Sequence, residues 1–340
     1  MANLVSAKRP KIVVTRTPLR VSFAGGGTDL ADFYERDYGA VFSTAIDQFV
    51  YVTVKHHSEL NKEPIRVNYS VTELVDSIDA MKNNIARECL RLLKNDPPIY
   101  ISIIGDLPTS TGLAGSSAFA VGLLNALHAY RGERVSPGQL AEEACHIEIN
   151  VLKEPIGKQD QYIAAFGGLN FFRFNPGGVV SVEHARVSEG FINDLFGHIL
   201  MFWTGTQRDA RSVLSEQSKN IPDKLDYLKK IREHAHQIQA LAGAPRFDPV
   251  PFGKILHESW LLKRQLASSI SSSVIDAHYE AALKAGAEGG KICGAGAGGF
   301  LLFIVKPEKQ NAVRRALSTL LEVPIRYEAH GSRVLLPFEH

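Results

Sequence analysis

The residues of this chain most able to do chemistry are a few charged and amide side chains set among apolar ones. In Pro155-Ile156-Gly157-Lys158-Gln159-Asp160-Gln161-Tyr162 they crowd together just ahead of the small-residue run Ala164-Ala165-Phe166-Gly167-Gly168. A polar cluster wedged between apolar elements usually lines a pocket, so Asp160 reads either as a working carboxylate or as a plain helix cap. Upstream, Glu148 falls close to the apolar face that Ala141, Ala144, Cys145 and Leu152 make on a predicted helix. Ser136-Pro137 opens that helix, with Ser136 as N-cap and Gln139 completing a capping box. An unpaired carboxylate beside apolar side chains is costly, so Glu148 either reaches water at the border or faces a cation such as Mg²⁺. A third group, Gly25-Gly26-Gly27-Thr28-Asp29, combines a backbone free to take positive φ with an exposed polar tip. It is a tight turn or a binding loop.

The element that must position these groups runs from Asp106 to Tyr130. It follows a β-branched run, Ile99 to Ile104, that reads as a buried strand. A turn with Pro108 and Gly112 leads to the small-residue patch Ala114-Gly115-Ser116-Ser117. Beyond it Ala118, Ala120, Val121, Leu123, Leu124, Ala126 and Leu127 cover nearly the whole circumference of a helix, which should therefore be central and buried. A strand, a glycine/serine loop and a buried helix N-terminus make an anion site, because free N–H groups and the positive helix end face whatever sits there. The alternative is an ordinary strand–turn–helix with small residues for close packing. No Lys-Ser/Thr pair follows the last glycine, so this is not a Walker A loop.

The pattern Pro108-x-x-x-Gly112-Leu113-x-x-Ser116-Ser117-Ala118 resembles the nucleotide loop of the GHMP kinases, the superfamily of galactokinase, homoserine kinase, mevalonate kinase and phosphomevalonate kinase. Pro18-Leu19-Arg20 through Thr28-Asp29 resembles the family's first motif, although galactokinases carry Glu-His where this chain has Gly26-Gly27. The Gly-Gly-Gly-Thr-Asp and Gly-Lys-Gln-Asp-Gln forms are similar to the branch acting on fucose or a heptose phosphate. Gly289 to Phe300 fits the letters G-x-G-x-x-G, yet a strand, Phe300 to Val305, follows where a dinucleotide fold needs a helix. It resembles instead the third motif of the family, in which Gly294, Gly296, Gly298 and Gly299 would buttress the nucleotide loop.

The resemblance implies an α+β fold in two parts, ribosomal-S5-like at residues 10–187 and ferredoxin-like at 188–340, with the active site in the cleft between them. It implies ATP over Gly112, Leu113, Ala114, Gly115, Ser116 and Ser117, and Mg²⁺ on Ser116 and Glu148. Asp160 and Arg20 would be the catalytic pair at the acceptor hydroxyl. Gly26, Gly27, Thr28, Asp29, Lys158, Gln159, Thr204, Gly205 and Arg208 would meet the acceptor, Lys158 and Arg208 being candidates for a remote phosphate. The expected reaction places a phosphoryl group on the anomeric C1 hydroxyl of D-glycero-D-manno-heptose 7-phosphate, giving the 1,7-bisphosphate for nucleotide-heptose biosynthesis. L-fucose or another free sugar is the alternative acceptor. A catalytically silent sugar and ATP sensor on the same fold is the non-enzyme rival, opposed by the retention of Asp160, Glu148 and Ser116. Two positions depart from the family pattern: Ala114 replaces a usual glycine, and Gly115 stands where many members have serine.

The whole chain agrees with such a protein. Its 340 residues are 45% hydrophobic, enough for one large core or two moderate ones. A net charge of +2 from 38 basic and 36 acidic residues argues against a general nucleic-acid or membrane surface. Cys89, Cys145 and Cys293 are scattered in apolar surroundings and read as buried free thiols. His56-His57 point to opposite faces of a strand end and cannot chelate one ion. The N-terminal residues lack an apolar leader, which gives a cytoplasmic expectation. Oligomeric state is open, a homodimer included. Strands are predicted at 11–15 and 19–24 around Pro18, and at 41–46, 49–56, 65–69, 170–174, 198–202 and 323–328. Long helices are predicted at 81–94, 212–242, 252–267 and 307–320.

Overall fold

The structure is a computed structural model that describes residues 12–207 and 210–337, so Arg208 lies outside the described residues. Strands β1 (Ile12–Ala24), β2 (Gly39–His56), β3 (Ile65–Asn68), β4 (Thr72–Val75), β5 (Ile99–Gly105), β6 (Leu169–Phe174) and β7 (Val180–His184) make most of an eight-stranded sheet. A separate four-stranded sheet holds β8 (Ile199–Trp203), β9 (Ala287–Ile292), β10 (Phe300–Val305) and β11 (Leu321–Glu322). The last strand, β12 (Arg333–Pro337), returns to the first sheet and pairs antiparallel with β1. The expected division into 10–187 and 188–340 is therefore not clean, since β12 completes the first sheet; Ser188 itself caps the Glu189–Gly197 helix.

Pro18 explains why two strands were expected where one exists. It has no N–H to give, and β1 absorbs it as a register shift between Pro18 and Leu19 while continuing to Ala24. Strand β2 is likewise unbroken: its first half pairs with β6 and its second with β5. In the second sheet the order β11-β8-β10-β9 is antiparallel throughout. Counted along the chain, that is fourth, first, third, second, the order of a ferredoxin-like unit.

Three local expectations are corrected. The predicted helix over 212–242 breaks at Ile221-Pro222-Asp223 into Ala210–Asn220 and Leu225–Ala242, because Pro222 interrupts the hydrogen-bond ladder. Residues 323–328 carry only an isolated bridge between Tyr327 and Ile46, and the closing strand comes later. The capping box is half made: Ser136 accepts from the Gln139 N–H, but the Gln139 side chain bonds Glu143. His56 is exposed, whereas His57 is buried beside Tyr100. All three cysteines are buried and free.

The Gly115–Tyr130 helix is the core of the first part, buried along nearly its whole length. Gly122 lets it settle onto β1, where the Thr15 hydroxyl donates to the Gly122 carbonyl at 2.8 Å. A Cβ there would lie 2.6 Å from Thr17 Oγ1. That seating fixes the helix N-terminus beside Arg20 of β1. Among the described residues no helix is long and apolar enough to cross a membrane.

Candidate active site

The loop ahead of the central helix is held open rather than closed on itself. No side chain caps the helix, and a Cβ at Gly115 would meet nothing within 4 Å. First-turn N–H groups therefore face free space, as an anion site requires. Gly112 has φ +82, and a side chain there would lie 2.7 Å from the Cys293 carbonyl. Ala114 sits at φ +69, which explains why glycine is the usual residue of the family at this position. Ala114→Gly is accordingly expected to stabilise the protein by about 1 kcal/mol, read as a rise in denaturation midpoint. A fall would mean that the methyl group packs favourably enough to outweigh the strain.

Arg20 stands at the centre of the site, 4% exposed. Its Nε and Nη2 donate to the two oxygens of Asp160, both at 2.7 Å, and its Nη1 donates to the Gly112 carbonyl at 2.8 Å. The fork of a guanidinium is spent on one carboxylate and one loop carbonyl. The Gln159–Phe166 helix presents Asp160 in its first turn, where the helix dipole favours a carboxylate.

Glu148 lies on a π-helical segment, His146–Val151, that continues the Pro137–Cys145 helix and turns its carboxylate inward. It is 1% exposed. Ser116 donates to its Oε1 at 2.7 Å, and Gln161 Nε2 to its Oε2 at 2.6 Å. Burial pushes its pKa up, the bonds from Ser116, Ser117 and Gln161 pull it down, and the Asp160 charge raises it again. Gln161 Oε1 is buried beside it with no partner. A carboxylate without a direct cationic partner, a serine hydroxyl and an orphaned amide oxygen are hard oxygen donors of the kind Mg²⁺ takes. These residues fit the ion.

The raised pKa fixes a sign. A group whose folded pKa lies above its unfolded value stabilises below the unfolded pKa, and that contribution is lost as pH rises through the folded one. In metal-free protein Glu148→Gln should therefore raise the midpoint at neutral pH, with the gain vanishing towards acid. Thermal melts across that range test it; a variant less stable at neutral pH would show the ionised carboxylate to be a net stabiliser.

The first glycine loop is tied by its own acid. Asp29, 3% exposed, accepts from the Gly27 N–H at 2.9 Å and the Gln159 N–H at 3.3 Å. Burial and the Asp160 charge raise its pKa. Gly157 packs against this carboxylate with no room for a side chain. The Thr28 hydroxyl is spent on the main chain, donating to the Gly25 carbonyl at 2.8 Å and accepting from the Ala40 N–H at 3.0 Å. Gly26 is freer: a Cβ there would be 3.7 Å from both Gln159 Nε2 and Ser22 Oγ.

The third glycine loop is packed backbone against backbone. A Cβ on Gly294 would lie 2.6 Å from Gly112 Cα, on Gly296 2.7 Å from the Ile270 carbonyl, and on Gly298 2.7 Å from the Thr206 carbonyl. Gly299 abuts the Thr111 carbonyl in the same way. Thr204 joins this loop, donating through its hydroxyl to the Gly299 carbonyl at 2.8 Å, while Gly205 borders open space. Lys158 turns its ammonium to the Gly178 carbonyl at 2.7 Å, with Glu142 at 3.8 Å.

Three side chains at the site were not singled out by the sequence. Gln161 lay in the quoted motif without a role. Lys263, on the Pro249–Lys263 helix, looked like any solvated helix lysine, yet it is buried and donates to the Gly294 carbonyl. Lys291 is buried in β9 and donates to the Ser22 carbonyl at 2.7 Å. A lone lysine between glycines and an apolar strand was its one visible signal.

Known proteins share the sequence patterns and the fold of this chain. The pattern described as GHMP kinases N terminal domain matches residues 82–168, and that described as GHMP kinases C terminal matches 239–323. Over 318 residues, 90% of this chain and 93% of the relative, the chain is 28% identical to the D-glycero-alpha-D-manno-heptose 7-phosphate kinase of Campylobacter jejuni. It is 24% identical over 345 residues to the L-fucokinase/L-fucose-1-P guanylyltransferase of Bacteroides fragilis, covering 89% of this chain and 35% of that protein. The crystal structure of a D-glycero-D-manno-heptose 1-phosphate kinase from Bacteroides thetaiotaomicron superposes with a TM-score of 0.79 at 22% identity, over 96% of this chain and 100% of that one. With both domain patterns in order and the fold shared from end to end, the chain belongs to the GHMP kinases and is an ATP-dependent kinase of that family.

Proposed function

We propose that this sugar kinase transfers the γ-phosphoryl group of ATP to the anomeric C1 hydroxyl of D-glycero-D-manno-heptose 7-phosphate, forming the 1,7-bisphosphate and ADP. The observation that carries the reading is the Arg20 fork, which joins Asp160 to the Gly112 carbonyl and so couples an acceptor carboxylate to the phosphate loop. The choice of acceptor is supported by the Gly25-Gly26-Gly27-Thr28-Asp29 and Gly157-Lys158-Gln159-Asp160-Gln161 forms and by similarity to the Campylobacter jejuni enzyme.

Phosphoryl transfer passes through a loose transition state, so positioning and charge neutralisation carry most of the barrier reduction. The N–H groups of Gly115, Ser116 and Ser117 receive the phosphates, and Ser116 and Glu148 would hold Mg²⁺. Bound there, the ion supplies neutralisation of the developing charge on the phosphate oxygens. Asp160 orients the acceptor hydroxyl and takes its proton late, as the new O–P bond forms. Arg20 keeps that carboxylate aimed through its two parallel bonds. The proton leaves an oxygen already made acidic by phosphorylation.

The test is ADP release across heptose 7-phosphate, free L-fucose and free galactose, with the phosphorus–proton coupling of the product locating the new ester. Turnover with heptose 7-phosphate and a C1 ester are expected. ADP formed only with free sugars would replace the substrate and leave the kinase in place.

A further inference from the structure

Among the described residues four Lys or Arg side chains are more than nine-tenths buried: Arg20, Arg232, Lys263 and Lys291. Arg20 is paired with Asp160, and Arg232 with Asp37 at 2.8 Å. The two lysines have no carboxylate within ion-pair distance among the described residues; only carbonyls and the Ser22 hydroxyl receive their protons. They meet at one cavity of about 10 Å³, whose wall also includes Gly25, Gly26, Ser259 and Trp260. The Trp260 indole N–H is buried there without a partner. On the neighbouring side of the same loop, the Gln217 amide nitrogen, also without a partner, occupies the space a Gly27 side chain would take. The site is thus rich in donors and lacks a carboxylate.

Such an arrangement is costly in the empty protein. A buried ammonium with no counter-charge loses hydration that its neighbours do not replace. Burial lowers Lys263 to about 8 and Lys291 to about 7. Around Lys263 the Arg20 charge adds to the lowering, while Cys293, Asp29 and Asp160 oppose it. Around Lys291, Lys263 and Arg20 lower and Cys293 opposes. What the pair lacks is a dianion.

We propose that this cavity is the subsite for the acceptor's own phosphate monoester. One phosphate oxygen enters between the ammonium groups of Lys263 and Lys291, with the Trp260 N–H as third donor. The remaining oxygens rest on the Gly25–Gly26 main chain. The cavity admits one water-sized group, so the phosphate seats on its mouth rather than inside it. Gly26 carries no side chain over that mouth, and Gly25 has none because a Cβ there would lie 1.9 Å from the Ala40 carbonyl. Lys158, the candidate from the sequence, already spends its ammonium on Gly178. The inference rests on the proposed reaction and names the residues that would make it selective for a phosphorylated sugar.

Binding a dianion favours the charged lysines, so it takes up protons, and affinity must fall as pH rises through the range of about 7 to 8 and above. Sulfate keeps its charge across that range and is the first probe. With the nucleotide site saturated by Mg·ADP, sulfate is expected to raise the melting midpoint of the wild-type protein saturably, and chloride at matched ionic strength is not. The apparent sulfate affinity should weaken at least tenfold from mildly acid to alkaline pH. Lys263→Met and Lys291→Met should abolish the response while melting no lower than wild type without anion, since each removes an uncompensated charge. In turnover, each should raise KM for heptose 7-phosphate at least tenfold and leave KM for ATP within about twofold. If either variant fails to fold, Trp260→Phe is read instead, with sulfate affinity expected to fall about threefold to tenfold. Unchanged sulfate binding in the variants, or an equal response to chloride, overturns the subsite. Wild-type turnover of heptose 7-phosphate together with unchanged KM in both lysine variants overturns it too and leaves the reaction standing. A lysine-dependent sulfate response in an enzyme that turns over no sugar phosphate shows an anion site only, and overturns both the reaction and the assignment of the site to the acceptor's phosphate.

Discussion

Asp160→Asn is expected to lower turnover by roughly 10²–10⁴, the range of a lost general base, with ADP affinity changed by less than about twofold. The two effects separate because Asp160 lies on the acceptor side, while the nucleotide loop is shaped by Gly112, the central helix and the third glycine loop. Asparagine keeps the volume but neither the charge nor both acceptors. One of the two 2.7 Å bonds from Arg20 would meet an N–H₂ group instead of an oxygen. The amide also cannot take the proton of the acceptor. Single-turnover rates and calorimetric ADP binding on the purified variant decide the matter. Turnover near wild type would remove Asp160 from the reaction.

Arg20→Lys should be nearly as damaging, although it conserves the charge. An ammonium cannot reproduce two parallel bonds to a carboxylate and a third to a carbonyl in a fixed plane. A lysine that reached Asp160 would release the Gly112 carbonyl, and one that reached Gly112 would leave Asp160 unaimed. We expect kcat/KM to fall about a hundredfold or more, two missing charge-assisted bonds at about 1.5–3 kcal/mol each being ample for this. The stability loss should stay below the roughly 3–5 kcal/mol of a fully buried pair, because the Asp160 side chain is 23% exposed. A variant with wild-type kcat/KM would show that charge alone, not the fork, is what the site uses.

Much of this was legible in the sequence, for physical reasons. The helix after Gly115 is apolar on every side and could only be central. The strand following Gly299 excluded a dinucleotide loop, and the close packing of Gly112 on Gly294 is what its glycines are for. Arg20 does meet Asp160 and Ser116 does meet Glu148, pairings that the family resemblance, and not the residues alone, led one to expect. What stayed hidden depends on tertiary contacts. Lys263 carries no local mark, since its burial is decided by β9 and by a loop far along the chain. Asp29 and Thr28 were read as acceptor contacts, and their hydrogen bonds in the structure run to main chain, which periodicity cannot reveal. β12 was missed because Val334-Leu335-Leu336 is short and ends in a proline, and only a free edge on β1 makes it a strand.

That edge has a consequence in time. The Thr17 and Ser332 hydroxyls share a hydrogen bond across 315 residues of chain, and the Ser332 N–H donates to the Ala164 carbonyl. Gly331 is wedged against the same helix end, with no room for a side chain. On the ribosome, the β1 strand that carries Arg20 therefore emerges long before the strand that completes its sheet. Until residue 337 has been made, β1 offers an unpaired row of main-chain groups to any passing strand. Non-local closures of this span are slow to form and leave intermediates prone to association. The nascent protein thus waits, sticky along one edge, for β12 to arrive.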